Sequence, residues 1–374
     1  MADSDPEAPW SQTARLTIDL DAIARNWRAL AARAPGAETG AVVKADAYGL
    51  GMARVAPALA RAGARSFFVA NAREGAALRR ILGPGPDIWI FNGFTPAERE
   101  LFAKARLFPV LCSLRQLREF RAALPDLPEG LEVGLHIETG INRQGFGMHE
   151  LDALRAEGMG EARATLLLSH LACADEPEHG MNLRQRGAFA GRSALLAAAA
   201  PGARMSLAAT GGILLGEKFH FDLTRPGIGL YGGLPFGQAE PVVRLEAPIL
   251  QVRRILRGES VGYGASWTAP RDSMIGVLPA GYADGLPRAL RGAKVWLDGR
   301  PAPLVGRVSM DMLTVDLTDH PRAAPGRMVE ILGPNQSVDQ LAAAAGTIGY
   351  EILTSLGARY ERRYTEADPH EAAG

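Results

Sequence analysis

The chain has 374 residues, with Lys+Arg and Asp+Glu both at 41, hydrophobic residues at 47% and charged residues at 22%. This length predicts two domains, or one large domain with a smaller one, and the composition excludes wholesale disorder. A formal net charge of zero removes the generic electrostatic case for nucleic acid or an anionic membrane surface as partner.

The N-terminal stretch, MADSDPEAPWSQTAR, is acidic and polar and does not read as a secretory signal. Residues 1–12 read as a disordered tail, and a helix follows at about 21–34, with Ile23, Trp27 and Leu30 at helical spacing. Eight short apolar strands then alternate with helices. The strands fall at 40–44, 66–70, 87–91, 107–111, 132–138, 165–170, 204–208 and 220–225. Helical patterns fall at 51–62, 73–82, 96–105, 113–123, 148–156 and 183–199. In 113–123, Ser113 is the N-cap, Leu114, Leu117 and Phe120 share one face, and Arg115, Arg118 and Glu119 face away. Near-continuous apolar strands between helices imply a parallel sheet covered by helices, and eight of them point to a (β/α)8 TIM-type barrel over 13–240. No GxGxxG follows the first strand, which counts against a dinucleotide-binding fold.

The pattern changes near 240, where Pro235, Gly237 and Pro241 mark a loop. Short alternating runs at 242–256, 274–280, 294–298, 312–317 and 328–332 predict a mainly-β domain over 241–364. One late helix is expected at about 338–356 behind a Ser337 N-cap, and the tail from 365 to 374 reads as disordered. No apolar run approaches the roughly 20 residues needed to cross a bilayer. Cys112 and Cys173 form neither a disulfide framework nor a CxxC pair, so no metal site is read and a cytoplasmic, reducing setting fits best.

Active-site residues of such a barrel collect where its strands end. Lys44 ends the first strand; Glu138 ends the fifth, with Arg143 in the loop beyond; His170 ends the sixth. Thr210-Gly211-Gly212 follows the seventh and Arg225-Pro226-Gly227-Ile228 the eighth. Only four of the 41 basic residues are lysines, so each lysine raises the question of whether arginine would fail there. Lys44 stands directly behind apolar residues. It is either a solvated lysine at a frayed strand end or an amine in a confined space, where burial lowers its pKa and makes it nucleophilic. The loops after the seventh and eighth strands are the usual phosphate site of this fold, although Gly-Gly alone also marks a plain turn. An imine-forming lysine beside a phosphate site is what pyridoxal phosphate requires.

Eight segments in this order resemble the alanine racemase family of fold type III pyridoxal-phosphate enzymes, over about residues 13–362. They are AVVKADAYGLG, HIETGINRQG, SHLACADEPEH, FHFDLTRPGIGLYG, VGYGASW, PAGYADGLPR, LVGRVSMDML and GYEILTSLG. The resemblance implies a racemase that interconverts L- and D-alanine with pyridoxal 5'-phosphate and supplies D-alanine for peptidoglycan precursors. It implies that Lys44 holds the cofactor covalently and is one of two acid–base groups, with Tyr263 the other. Arg225 would meet the pyridine nitrogen, with His170 beside it. Tyr48, Thr210, Gly227, Ile228 and Tyr350 would hold the phosphate. Arg143 and the Met310 backbone would place the substrate carboxylate, Tyr282 would line the entrance, and Asp311 would support that region. The family is a homodimer with shared sites, so Tyr263 and Met310 would serve the partner's barrel.

The chain departs from the family at three places. Some members carry a carbamylated lysine seven positions before the motif arginine; here that position is His136, which leaves Asn142, a bound anion or water to brace Arg143. Ala209-Thr210 stands where Asn-Ser is common, which keeps the hydroxyl and loses an amide. Trp267 stands where a smaller aromatic is common. The alternatives are a racemase of the same fold acting on serine or a longer basic amino acid, a decarboxylase with a similar barrel, and a non-catalytic cofactor-binding protein. The last lacks a C-terminal β-domain in its usual single-barrel form.

Overall fold

The computed structural model describes residues 10–366 and divides into two compact units, Ile23–Glu240 and a second made of Met1–Ala22 with Pro241–Gly374. The expected tail residues 1–9 and 367–374 lie outside the described residues.

In the first unit, seven parallel strands pair in chain order: Ala41–Val42, Ser66–Val69, Asp87–Ile90, Phe108–Leu111, Glu132–His136, Arg163–Leu168 and Arg204–Ser206. The eighth, Leu223–Thr224, closes the ring. On one side Asp222 N donates to Met205 O at 2.9 Å and Arg225 N to Ala208 O at 2.8 Å; on the other, Gly40 N donates to Thr224 O and Val42 N to Pro226 O. The result is the expected TIM-type barrel. Its strands carry apolar residues on both faces because the wall is covered inside and out. Phe67, Phe68, Trp89, Val110, Leu135 and Leu167 are all buried, and the rings of Phe68 and Trp89 lie 6.4 Å apart.

The helices start where capping residues satisfy their first N–H groups. Asn71 accepts from Glu74 N and Ser113 from Gln116 N. Leu117 and Phe120 are buried on the face the spacing predicts. Several ranges differ from expectation, and the helix expected at 21–34 spans Leu20–Ala31. The helix expected at 183–199 spans Met181–Leu195. The single late helix resolves into Val338–Ala345 and Gly349–Ser355, because Gly346 takes a left-handed φ of 70° and terminates the first.

The second unit is the expected mainly-β domain. Its larger sheet runs Arg300–Pro303, Lys294–Leu297, Met328–Leu332, Val243–Pro248, Arg15–Asp19 and Glu361–Thr365. Arg15–Asp19 lies inside the stretch assigned above to the barrel, yet it pairs antiparallel with Val243–Pro248 and parallel with Glu361–Thr365, burying Leu16 and Ile18. Thr365 is therefore strand and not tail. Trp10 likewise is ordered against Gly326, where an added Cβ would come within 2.9 Å of the indole. A three-stranded sheet joins Gln251–Ile255, Ser273–Leu278 and Leu313–Asp316, and a small ribbon joins Ser260–Val261 to Trp267–Thr268. No helix among the described residues is long and apolar enough to cross a membrane.

Barrel closure makes one glycine indispensable. A Cβ at Gly40 would lie 2.8 Å from Ser66 O and 3.3 Å from Thr224 O, wedged between the neighbouring strands. Gly40→Ala is expected to cost about 1–3 kcal/mol through overpacking, read from the denaturant midpoint. An unchanged midpoint would show that the seam yields freely.

Candidate active site

Lys44 does not end its strand. It opens the five-residue turn Lys44–Tyr48, in which Ala45, Asp46, Ala47 and Tyr48 all take φ between 53° and 56°. Left-handed backbone costs residues with a Cβ roughly 1–2 kcal/mol each, so neighbouring contacts must hold it. Glu74 supplies one, accepting Ala45 N with one carboxylate oxygen and Ala70 N with the other, both at 2.8 Å. Asp46 accepts Met52 N at 2.7 Å, and Tyr48 stacks on Tyr231 at 4.6 Å between ring centroids. The buried Tyr231 hydroxyl donates to Val42 O at 2.9 Å. The turn aims the Lys44 stem inward, with Nζ 5.9 Å from the centre of the Phe91 ring. Burial, and then the nearby Arg143 charge, lower the Lys44 pKa against an opposing pull from Glu74.

Arg225 is 2% exposed. Its guanidinium donates to Ser206 Oγ and, at 2.6 Å, to Ser169 O. Burial pulls its pKa down to about 10, which leaves it charged at neutral pH. Burial first, then Arg225 and Arg143, push His170 down to about 3 and His136 to about 4. Both rings are therefore neutral in the working range. Lys44, Arg143, Arg225 and the two histidines thus share one electrostatic neighbourhood, and the charges acting on the histidines are all positive.

The phosphate candidates also come together. Thr210, which opens the helix Thr210–Leu214, accepts Gly227 N at 3.1 Å and Gly229 N at 3.2 Å with its hydroxyl. A Cβ at Gly227 would lie 2.3 Å from the Tyr48 hydroxyl, so only glycine allows this approach. Ile228 opens the short helical turn Ile228–Tyr231 beside it. The Thr210 and Tyr48 hydroxyls, gathered against the glycine-bearing backbone at 227–229, are groups of the kind that hold a phosphate. A buried, charged guanidinium has N–H groups beyond the two donated to Ser206 and Ser169, and an aromatic ring nitrogen can accept one. With the Lys44 amine available for an aldehyde, these residues fit pyridoxal phosphate.

Glu138 is not a free rim charge. Its carboxylate accepts Gly140 N and, at 2.8 Å, Asn142 N, so it shapes the loop that carries Arg143. The Arg143 side chain is exposed.

The remaining candidates belong to the β unit. Tyr263 is 69% exposed, on a loop where Gly262, Gly264 and Ala265 take positive φ. Tyr282, Met310 and Tyr350 are also exposed, so Tyr350 is not a core residue of its helix. Tyr282 and Met310 lie on adjoining segments. Tyr282 N donates to Ser309 O at 3.0 Å and Ala283 N to Met310 O at 2.9 Å. A Cβ at Gly281 would lie 2.4 Å from both carbonyls. Buried Asp284 braces the pair, accepting Gly281 N at 2.8 Å and meeting Arg359 Nε at 3.1 Å. Arg359 Nη1 reaches Asp311 Oδ1 at 2.7 Å. Asp311 thus supports its region through Arg359 and Asp284, two residues the sequence reading did not single out.

Family models for the N-terminal and C-terminal domains of alanine racemase match residues 18–235 and 242–364. The chain belongs to the alanine racemase family. A curated alanine racemase from Cereibacter sphaeroides is 54% identical over 354 residues, covering 94% of this chain and 98% of that one. One from Rhodospirillum rubrum is 49% identical over 94% of this chain and 96% of the relative. The crystal structure of alanine racemase from Bartonella henselae with covalently bound pyridoxal phosphate superposes with a TM-score of 0.90 at 38% identity, covering 95% of this chain and all of that one. The biosynthetic alanine racemase from Pseudomonas aeruginosa gives 0.88 at 39% identity, with the same coverage. Besides Asp284 and Arg359, motif reading for alanine racemase passed over Glu74. It lies in a surface-patterned helix, and nothing in the sequence ties it to a turn 29 residues earlier.

The two neutral histidines set an acid limit. A histidine in the unfolded chain titrates near 6.5, well above either folded value. Below that point the unfolded chain binds protons that the folded chain refuses. The stability tied to the neutral rings is complete above about pH 6.5 and is lost as pH falls towards 4 and 3. Thermal midpoints should fall between about pH 7 and pH 5, and more gently in His136→Gln. The same slope in that variant would clear His136 of the acid sensitivity.

Proposed function

We propose that this chain is a pyridoxal-phosphate-dependent racemase that interconverts L- and D-alanine by a two-base route through Lys44 and Tyr263. One observation carries the reading: a half-buried lysine of lowered pKa shares a barrel mouth with a fully buried, charged arginine. The near-full-length likeness to proteins named alanine racemase gives that pair its substrate.

When bound, the cofactor supplies an electron-poor ring that absorbs the charge left as the α-proton departs. Lys44 holds it and, as a free amine, takes or returns the α-proton on one face. Its lowered pKa raises the fraction of neutral amine at working pH. Racemisation also needs a proton carrier on the other face, and Tyr263 has that role. A phenol with a reference pKa of about 10 is a weak base, so a donor must stabilise its anion. We assign that part to the neutral His170 ring backed by Arg225. Arg225 also donates to the pyridine nitrogen and, staying protonated itself, leaves that nitrogen without a proton. Arg225 would thereby favour proton return over side reactions. Thr210, Gly227, Ile228 and Tyr48, with Tyr350, hold the phosphate. Arg143 and the Met310 backbone receive the substrate carboxylate, and Tyr282 lines the entrance.

The same reading makes the protein a cytoplasmic homodimer that supplies D-alanine for peptidoglycan precursors, with Tyr263 and Met310 serving the partner's barrel. Exposure of 69% at Tyr263, 53% at Met310 and 42% at Tyr282 supports this, because an aromatic and methionine surface of that kind suits an interface. Two free cysteines suit a reducing compartment.

The deciding experiment follows α-proton exchange in deuterated water with single L-amino acids and chiral analysis. Exchange and inversion should centre on alanine, and Lys44→Ala should abolish both along with the visible absorbance of the bound cofactor. A maximum on serine or a basic amino acid would replace the substrate, and no exchange by loaded protein would leave a binding protein.

Mixed dimers test the shared site. Lys44→Ala and Tyr263→Phe should each be inactive alone. Mixed after subunit exchange, they should regain up to about a quarter of wild-type activity, since one heterodimer site keeps both bases and heterodimers form half of a statistical mixture. No recovery despite proven exchange would place both bases in one chain.

A further inference from the structure

His136 is the last residue of the fifth barrel strand and is 5% exposed, and its Nε2 is buried without a hydrogen-bond partner. An unmet buried polar atom is costly, so it calls for an explanation. The loop carrying Arg143 is anchored on this residue. Phe146 N donates to His136 O at 2.7 Å, and Glu138 N donates to Phe146 O at 3.1 Å. A Cβ at Gly145 would come within 3.1 Å of His136 Cδ2, the carbon bonded to that Nε2. Glu138 fixes the loop backbone through Gly140 and Asn142, next to Arg143 in the chain. The Arg143 guanidinium has no hydrogen bond or ion pair among the described residues, yet its charge is felt at His136. A buried ring nitrogen without a donor thus feels the charge of a guanidinium without an acceptor.

We propose that His136 is a positioning residue for Arg143: its Nε2 accepts an N–H of the guanidinium when that side chain turns inward to meet the substrate carboxylate. The proposal rests on the reading of Arg143 given above. A neutral imidazole accepts only at its bare nitrogen, so this role requires Nε2 without a proton and the proton on Nδ1. Using a neutral acceptor has a chemical consequence. A carboxylate in this place would orient Arg143 but also cancel part of its charge. The imidazole orients the guanidinium and leaves its positive charge for the substrate.

The test is binding of propionate, which is alanine without its amine, to the cofactor-loaded protein by calorimetry. Arg143→Ala and His136→Leu are each expected to weaken binding about tenfold, the range of one hydrogen bond to a charged group. His136→Gln, which keeps an acceptor at the same reach, should stay within about twofold of wild type, and the double variant Arg143→Ala/His136→Leu should bind no more weakly than Arg143→Ala alone. Wild-type affinity in His136→Leu would overturn the proposal, and so would a His136→Leu effect that persists in full without Arg143. Wild-type affinity in Arg143→Ala would instead remove the reading of Arg143 and the proposal with it. Solid-state 15N spectra of histidine-labelled wild-type protein need no variant to fold. They should show His136 protonated at Nδ1 and bare at Nε2 at neutral pH, and a proton on Nε2 would overturn the proposal.

Discussion

A charged guanidinium buried inside a barrel is the constraint that orders the rest of the site. Taking Arg225 out of water costs several kcal/mol, and the cost is tolerable only because Ser206 and Ser169 accept its protons. Those serines lie at the ends of the seventh and sixth strands, so strand pairing around the ring positions the acceptors. Burial acts first on the titratable neighbours, and the Arg225 charge adds to it at the two histidines. His136 and His170 lose their protons, and Lys44 finds its own charge disfavoured by burial and by Arg143. The chemistry assigned to Lys44 is in this sense a consequence of a crowded, positive and half-dry cavity.

The same field explains why the barrel mouth suits an anionic, electron-poor ligand. In the proposed reading, a phosphate end would meet backbone N–H groups and hydroxyls, a ring nitrogen would meet a charged guanidinium, and an aldehyde would meet an amine whose pKa burial lowers. The left-handed turn at Ala45–Tyr48 belongs to this arrangement. Its strain is held by Glu74, Asp46 and the Tyr48–Tyr231 stack, and it sits where the reactive side chain has to be aimed.

Legibility in the sequence followed the range of the interactions. The eight barrel strands were readable because each is a short apolar run between capped helices, a local signal. Gly346 ends one helix in the fold, whereas in sequence the alanine-rich pattern on its N-terminal side outweighs a single glycine. Arg15–Asp19 was assigned to the wrong unit because its partners lie more than 200 residues away, and period-two alternation cannot say which sheet a strand joins. The left-handed run at Ala45–Tyr48 holds one turn-favouring residue, Asp46, which alone does not announce four consecutive positive φ values. Lys44, Glu138 and His170 are legible as rim residues because each stands two residues past a strand end, at Val42, His136 and Leu168, whereas Glu74, Asp284 and Arg359 are not. Their roles depend on hydrogen bonds across the fold, and in sequence they look like ordinary surface charges.

The two units also divide the chemistry. The barrel mouth holds bases and cations, but no tyrosine free to act as a second base: Tyr231 is buried and pledged to Val42, and Tyr48 is packed against it. The β unit exposes Tyr263 and Met310, and it stiffens the Tyr282 and Met310 segments through the Asp284–Arg359–Asp311 chain. Fixing an exposed surface this firmly costs conformational entropy that a solvated surface has no reason to pay. Such rigidity suits residues that must meet a reacting atom to within a fraction of an ångström, since a misplacement of about 1 Å can cost a hundredfold in rate. In the shared-site reading, each chain then contributes what its partner's barrel lacks. Assembly becomes a condition of the reaction, because neither unit alone supplies proton carriers for both faces of the substrate.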